Sequence, residues 1–545
     1  MQKLQLTDYI VFFVYFIIVS SYGYWIYTRK KRSEVDSKDF FLAEGSLTWW
    51  AIGASLIASN ISAEQFIGMS GSGFAMGLAI ASYEWMAAVT LIVVAVFFLP
   101  IYLKNKIYTM PQFLAQRYSP LVATIMAVFW LLVYIFVNLT SILYLGALAV
   151  ETITGLSFTT CVLGLAIFAV FITLGGMKVI GFTDVIQVVV LVLGGLATTY
   201  LALGLVAKEL SGGDIWQALG YVHDNATDHF HMILNKGQMM IPDGKGGTRD
   251  AYQDLPGLAV LIGAMWIANL NYWGCNQYIT QRALGADLKT ARTGLLFASF
   301  LKLIMPIIVV LPGIAAFVLY KNGFFQTEMI DPTTQALKSD RAYPVLLNLL
   351  PAGLKGLSFA ALTAAVVASL AGKANSISTI FTLDLYKKFF NKNASERHLV
   401  NVGKVAIIGA MLIAIIMSPQ LKRFDQAFQF IQEFTGLISP GVVAIFILGM
   451  FWKRANGTAA LVAAIATLPL GIWLNELYPA IPFLHRMGIV FLILVALMIV
   501  ISLITHGKKE RAIEVSADMF HVNKSFAVGA LLAIGIISAL YIVYW

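Results

Sequence analysis

A membrane-length apolar run that is interrupted near its middle constrains this chain more than any other feature. The stretch 50–66 carries Ser59, Asn60, Ser62, Glu64 and Gln65 where a simple spanning helix keeps apolar side chains. Glu84 lies in the apolar run that follows. Polar and ionisable side chains are costly in hydrocarbon and persist where they line a cavity or pair with a partner. A broken helix also frees backbone carbonyls, which lipid cannot satisfy but a bound cation can. The pattern predicts a polar binding site inside a membrane domain.

Composition supplies the bilayer. Of 545 residues, 59% are hydrophobic and 12% charged, against about 25% charged in soluble domains. Mean hydropathy is +0.81. The length reads as one multi-span membrane domain over 1–545 rather than several soluble ones. The net charge of +9 comes from basic residues between apolar runs and calls for no nucleic-acid partner. Cys161 and Cys275 both lie in apolar runs, so no disulfide framework is expected. The first apolar run (9–27) has spanning length and lacks a small-residue cleavage site, which predicts an anchoring helix rather than a removable signal.

Runs of membrane length recur near 7–28, 48–71, 78–103, 120–151, 157–176, 182–207, 256–281, 291–320, 350–386, 398–418, 426–452, 457–477, 485–506 and 524–544. At ~20 residues per span this predicts about fourteen helices. Arg29, Lys30, Lys31 and Arg32 follow the first run and assign that loop to the cytoplasm. The same side then holds Lys104 and Lys106, Lys178, Arg282 with Lys289 and Arg292, Lys387 with Lys388 and Lys392, Lys453 with Arg454, and Lys508 with Lys509 and Arg511. Lys422 and Arg423 fall on the other side. An even count puts both termini outside. The long connections 209–255 and 322–349 then lie on the outer face and read as loops with short surface helices. The glycine-rich stretch 243–248 lacks the Gly-Lys-Ser/Thr ending of a phosphate loop.

A second interruption occurs at 268–277, Ala-Asn-Leu-Asn-Tyr-Trp-Gly-Cys-Asn-Gln. After the anchoring helix, each break falls in the first of five successive runs. Five is odd, so the second set is inverted relative to the first. Paired broken helices in inverted halves point to a secondary transporter with its site near the bilayer midplane.

The segments 54–73, 81–86 (Ala-Ser-Tyr-Glu-Trp-Met), 269–277 and 429–436 (Gln-Phe-Ile-Gln-Glu-Phe-Thr-Gly) resemble the sodium/solute symporter family, nearest its sodium/glucose and sodium/galactose branch. The resemblance covers nearly the whole chain. It implies an all-α integral membrane protein with the leucine-transporter fold. In that scheme 7–28 is an extra helix, 48–207 and 256–418 are the inverted repeats, and 426–544 holds the C-terminal helices.

A pyranose offers hydroxyls that donate and accept and one apolar face, so its site needs carboxylate and amide groups with a flat aromatic ring. The resemblance assigns sugar contact to Gln65, Glu84, Asn269, Lys302 and Gln432. Glu84 would accept from hydroxyls and Lys302 would donate. Tyr272, beside Trp273, matches the ring stacked on the sugar from the cytoplasmic side, with Asn60 orienting it. Met69, Tyr83 and Phe428 match the outer apolar lid. Ala87 stands where a bacterial family member has serine, which removes one hydroxyl contact. The structural alternatives are an interhelical ion pair at Glu84, amide glue at Gln65 and Gln432, a snorkelling Lys302, and ordinary packing for Tyr272 and Trp273.

For sodium, the resemblance implies the carbonyls of Ala58, Ile61 and Ala365 with the hydroxyl of Ser369, oxygen donors suited to a hard cation. Two adjacent serines are usual in the family, whereas this chain has Ala368 before Ser369. Lys373 lies one turn beyond Ser369, at ~6 Å of rise. Its ammonium can substitute for sodium, pair with Asp184, or snorkel to water. Asp184 matches a position on the family's sodium exit route, with a helix cap as the alternative. Sodium-coupled uptake of a galactose- or glucose-type monosaccharide by alternating access at a cell membrane, of bacterial inner-membrane type, is the expected activity. No covalent chemistry is expected. A sodium-independent or proton-linked transporter and a non-transporting sugar sensor are the rival readings. His223, His229 and His231 in the outer loop show no paired metal-ligand motif.

Overall fold

The computed structural model describes residues 5–28, 47–62, 64–243, 247–330, 335–348, 350–351, 353–423, 427–505 and 513–545. The basic runs at 29–32 and 508–511 lie outside them, as do residues 244–246 of the glycine-rich stretch. The side chains of Lys178, Lys422, Arg423 and Phe428 also lie outside the described set.

Among the described residues, eleven helices are long and apolar enough to cross a membrane, or twelve if one pair bent by 75° counts as a single span. The sequence suggested about fourteen. Trp49–Asn60 is too short to count alone, Phe158–Thr173 falls just short of spanning length, and 64–104 runs on as one helical stretch. Large apolar side chains such as Ile167, Phe171, Val405 and Ile416 face outward, where hydrocarbon replaces water as their solvent.

The helices used below are α1 (Leu6–Thr28), α2 (Trp49–Asn60), α3 (Ser70–Met76), α4 (Ser82–Val93), α5 (Met177–Val206), α6 (Leu258–Ile262), α7 (Met265–Gly274), α8 (Gln277–Leu284), α9 (Leu288–Lys321), α10 (Leu354–Thr379) and α11 (Ala427–Phe451). The N-terminal α1 packs on α5 and α10. Its buried Asp8 accepts hydrogen bonds from the backbone N–H of Gly353 and Gly356, at 2.8 and 2.9 Å. These are N-terminal donors of α10 that have no partner inside their own helix.

The first break is local and sharp. At Ile61 the backbone is extended (φ −80°, ψ 107°), and the chain resumes as a π-helical turn over Glu64–Met69 before α3. Glycine is required where α3 turns towards α4: Gly77 has φ +69°, and a Cβ there would lie 2.2 Å from the His229 carbonyl oxygen. The second interruption differs from the sequence reading. Residues 268–274 are helical within α7, and the chain breaks on either side, at Gly263 and at Cys275–Asn276. Asn276 explains the second of these breaks, because its side chain accepts from the Tyr278 N–H and starts α8 afresh.

Helix α2 packs against α5, α9 and α10. The long connection 209–255 holds the helix Ile215–Asn225, a short 3₁₀ turn and an antiparallel hairpin pairing Met240–Pro242 with Thr248–Asp250. Two basic residues assigned from sequence to an inner loop are buried. Arg282 lies in α8 with no exposed surface, and Arg292 donates to the carbonyls of Ala95, Met519 and His521. Loop charge and buried charge look alike in a linear sequence, because what separates them is whether distant carbonyls come within reach.

Candidate functional site

The two breaks open on one cavity. Gln65, Glu84, Asn269, Lys302 and Gln432 all line it, as do Asn60, Met69, Tyr83, Tyr272 and Trp273. The π-helical turn after the first break carries Gln65, α4 presents Glu84, α7 carries Asn269, α9 carries Lys302 and α11 carries Gln432.

Lys302 organises the wall between α4, α9 and the end of α2. Its ammonium donates to Glu84 Oε2 at 2.5 Å and to the side-chain oxygen of Asn60, and it lies 5.3 Å from the centre of the Trp273 ring. Both charged groups are almost fully buried. Neither snorkels, and each supplies the counter-charge that a buried ion needs. Tyr272, which lines the cavity with Asn60, meets Trp273 edge-on at 5.1 Å. Gln65 accepts from the N–H and hydroxyl of Ser62, at 2.9 and 3.2 Å, which fixes its amide at the mouth of the break. Asn269 donates to the Met265 carbonyl at 3.0 Å, leaving its own oxygen to accept. The cavity thus combines carboxylates, ammonium groups, several amides and an aromatic floor, the donor and acceptor set a polyhydroxylated ring can satisfy.

The cation-type donors converge behind this cavity. The Ser369 hydroxyl on α10 donates to the Ser59 carbonyl at 2.9 Å and lies 3.5 Å from the carbonyl oxygens of Ala58 and Ile61. The break brings these oxygens together because Ile61 leaves helical geometry and no longer aims its carbonyl along the helix. Ala365 and Ala368 are fully buried on the same helix, one turn and one residue before Ser369. The oxygens present fit a hard monovalent cation.

Asp184 is not a cap, since α5 begins seven residues earlier at Met177. It is not the partner of Lys373 either. Asp184 accepts from the Ser55 hydroxyl at 2.5 Å and sits 3.9 Å from Arg282, whose Nε donates to Ser55 at 2.9 Å. Lys373 donates instead to Asn138 at 3.1 Å. The sequence reading missed Arg282, Tyr278 and Asn138. A polar Asn138 inside an apolar run was the available signal for the third. Tyr278 donates to the Ser59 carbonyl, a link between residues far apart in sequence that no local pattern reveals.

The three histidines of the connection 209–255 serve the fold. His229 donates to the Phe74 carbonyl at 3.0 Å and stacks on Phe317 at 3.9 Å, His231 meets the Trp545 carbonyl, and His223 meets Asp224.

Comparison with known proteins fits this geometry. The family model for the sodium:solute symporter family matches residues 40–467. A sodium/glucose cotransporter of Vibrio parahaemolyticus is 45% identical over 99% of both chains. The human sodium/myo-inositol cotransporter 2 is 34% identical over 86% of this chain and 70% of its own length. Among solved structures, a substrate-bound, outward-open Na+-coupled sialic acid symporter superposes with a TM-score of 0.78 at 22% identity, covering 93% of this chain and 99% of that one. Mhp1, a nucleobase-cation-symport-1 family transporter, superposes with a TM-score of 0.53 at 12% identity over 90% of this chain and 97% of its own. These two likenesses give the fold, the leucine-transporter arrangement of two inverted five-helix repeats, and with 45% identity along its length to a sodium/glucose cotransporter the chain belongs to the sodium:solute symporter family.

Proposed function

We propose that this sodium-coupled symporter carries a monosaccharide of the galactose or glucose type into the cell by alternating access. The observation that carries the reading is one cavity in which Glu84, Lys302, Asn60, Gln65, Asn269 and Gln432 surround the aromatic pair Tyr272 and Trp273, directly in front of the carbonyls gathered at the first break. Sodium binds the oxygens of Ala58, Ile61, Ala365 and Ser369 and draws the end of α2 towards α10. Ordering that break positions Asn60 and Gln65, which belong to the sugar wall. The sugar then enters beneath Met69 and Tyr83, and its hydroxyls take up donors and acceptors that Glu84 and Lys302 otherwise spend on each other. Movement of Tyr272 releases it inward. A bacterial inner membrane with both termini outside is the setting that the alternating basic loops support.

Two names among the relatives, glucose and myo-inositol, define the test. Proteoliposomes are given labelled galactose with an inward sodium gradient or with equal potassium, and unlabelled glucose and myo-inositol serve as competitors. Sodium-driven accumulation of galactose, displaced better by glucose than by myo-inositol, is the expected result. Displacement by myo-inositol alone moves the substrate to a cyclic polyol. Saturable uptake indifferent to sodium overturns the coupling.

A further inference from the structure

Lys373 is an unusual group for the place it occupies. It sits on α10 one turn beyond Ser369, is only 4% exposed, and lines the cavity between the two breaks. Its hydrogen bond goes to Asn138, on the π-helical turn Val133–Leu139. Three tyrosine rings surround the ammonium, with centres at 4.0 Å for Tyr278, 5.3 Å for Tyr134 and 5.6 Å for Tyr272. A desolvated cation within about 6 Å of an aromatic face is attracted by the ring quadrupole.

These rings are tied in turn to the rest of the site. Tyr278 donates to the Ser59 carbonyl, the oxygen that also receives the Ser369 hydroxyl. Tyr272 meets Trp273 edge-on, and the Trp273 ring faces Lys302, which holds Glu84 and Asn60. Tyr134 donates to the Asn276 side chain that starts α8 after the second break. One ammonium therefore touches a ring anchored at the cation-type oxygens, a ring anchored at the sugar wall and a ring anchored at the second break. The charges facing Lys373 are Glu64, across the same cavity, and Arg282, behind Tyr278. Glycine at 372 makes room for this arrangement, because a Cβ there would lie 2.4 Å from the Arg282 guanidinium and 2.6 Å from the Tyr278 ring.

We propose that Lys373 is a positioning residue of the transport cycle, a resident cation that pins Tyr272 and Tyr278 together so that the inner sugar gate and the sodium oxygens move as one unit. It does not replace sodium, because its ammonium is spent on Asn138 and the rings. It raises the free energy of sodium entry by like charge and passes that entry on to the gate. The inference rests on the sodium-and-sugar reading above, and the two fail separately in the following test.

Binding of ²²Na⁺ to the purified full chain without sugar is compared for wild type, Lys373→Met and Lys373→Arg. Lys373→Met is expected to bind sodium at least three-fold more tightly, and Lys373→Arg to stay within two-fold of wild type. In a second arm, labelled galactose and glucose binding is measured with and without sodium. Coupling between two sites is reciprocal, so the factor by which sodium tightens sugar binding should fall towards one in Lys373→Met and persist in Lys373→Arg. Asn138→Leu, which removes the amide orienting the ammonium, should move both readouts in the same direction, and it decides alone if Lys373→Met does not fold. Unchanged sodium affinity overturns the proposal, as does an unchanged coupling factor or the absence of sodium binding by wild type. If neither sugar binds while sodium affinity shifts as expected, the substrate assignment falls and the role of Lys373 as a resident cation stands.

Discussion

Glu84 and Lys302 are two charges that tolerate burial only together. Each is almost fully buried and their charged atoms lie 2.5 Å apart, so removing one strands the other in a low-dielectric wall. Breaking such a pair costs about 3–5 kcal/mol, whereas replacing both members with apolar groups is often neutral. Glu84→Gln and Lys302→Met should therefore each lower the melting temperature of the detergent-solubilised protein, and the double variant should recover most of the loss. Both single variants and the double variant should lose sugar uptake, because an apolar wall cannot exchange its internal bonds for sugar hydroxyls. Recovery of stability without recovery of transport separates the structural role of the pair from its role in binding. In the proposed sodium site Ala368 adjoins Ser369, the one side-chain hydroxyl, and the serine that the family resemblance implies at 368 would add a neutral ligand. Ala368→Ser should lower the sodium concentration for half-maximal uptake by several-fold, and an unchanged value excludes position 368 from the cation site.

At the scale of elements, the turn from α3 to α4 is held by the connection 209–255. Gly77 is in a left-handed conformation and its neighbour in space is the His229 backbone. The His229 ring lies between the Phe74 carbonyl and Phe317. Burial pulls the pKa of this imidazole from 6.5 down to about 4, a tendency only partly offset by its bond to the Phe74 carbonyl and by Asp228. The folded protein thus binds this proton less readily than the unfolded chain. The contribution of His229 is fully present above pH 6.5 and is lost as pH falls from 6.5 through about 4. The melting temperature should drop over that window, and His229→Gln, which keeps a donor but does not titrate there, should flatten this part of the profile. An identical pH profile in the variant assigns the acid sensitivity to other groups.

At the scale of the whole molecule, two inverted repeats place broken helices face to face, and this makes a movable barrier out of rigid rods. In the proposed cycle a cation bound at the first break carries its charge through the bilayer, and each charge moving with the potential gains about 2.3 kcal/mol per 100 mV. An inside-negative potential imposed by potassium diffusion with valinomycin should raise initial sugar uptake at fixed sodium. Uptake indifferent to the potential identifies an electroneutral cycle instead.

Much of this organisation was readable in one dimension. Hydropathy marks spans because lipid demands long apolar helices, and polar residues within a run mark a site because hydrocarbon penalises them. The first break follows from such local signals, whereas the family, and through it the residues found lining the cavity, came from the resemblance of whole motifs. Contacts between residues far apart in sequence do not. Arg282 and Arg292 read as loop charges, yet one lies beside Asp184 and the other binds three distant carbonyls. Asp184 read as a cap or a partner of Lys373, and the extension of α5 past it settled the first point while Ser55 and Arg282 settled the second. The second interruption shifted because Asn276 restarts a helix after α7 has already formed. Sequence by itself determined that the chain is a membrane protein with a polar site at a broken helix, because each of those facts is a cost levied residue by residue by the bilayer, and its motifs placed it among the symporters. Only the tertiary structure decided which buried charge meets which partner, because a long side chain can swing to any of several neighbours and the packing of helices selects one.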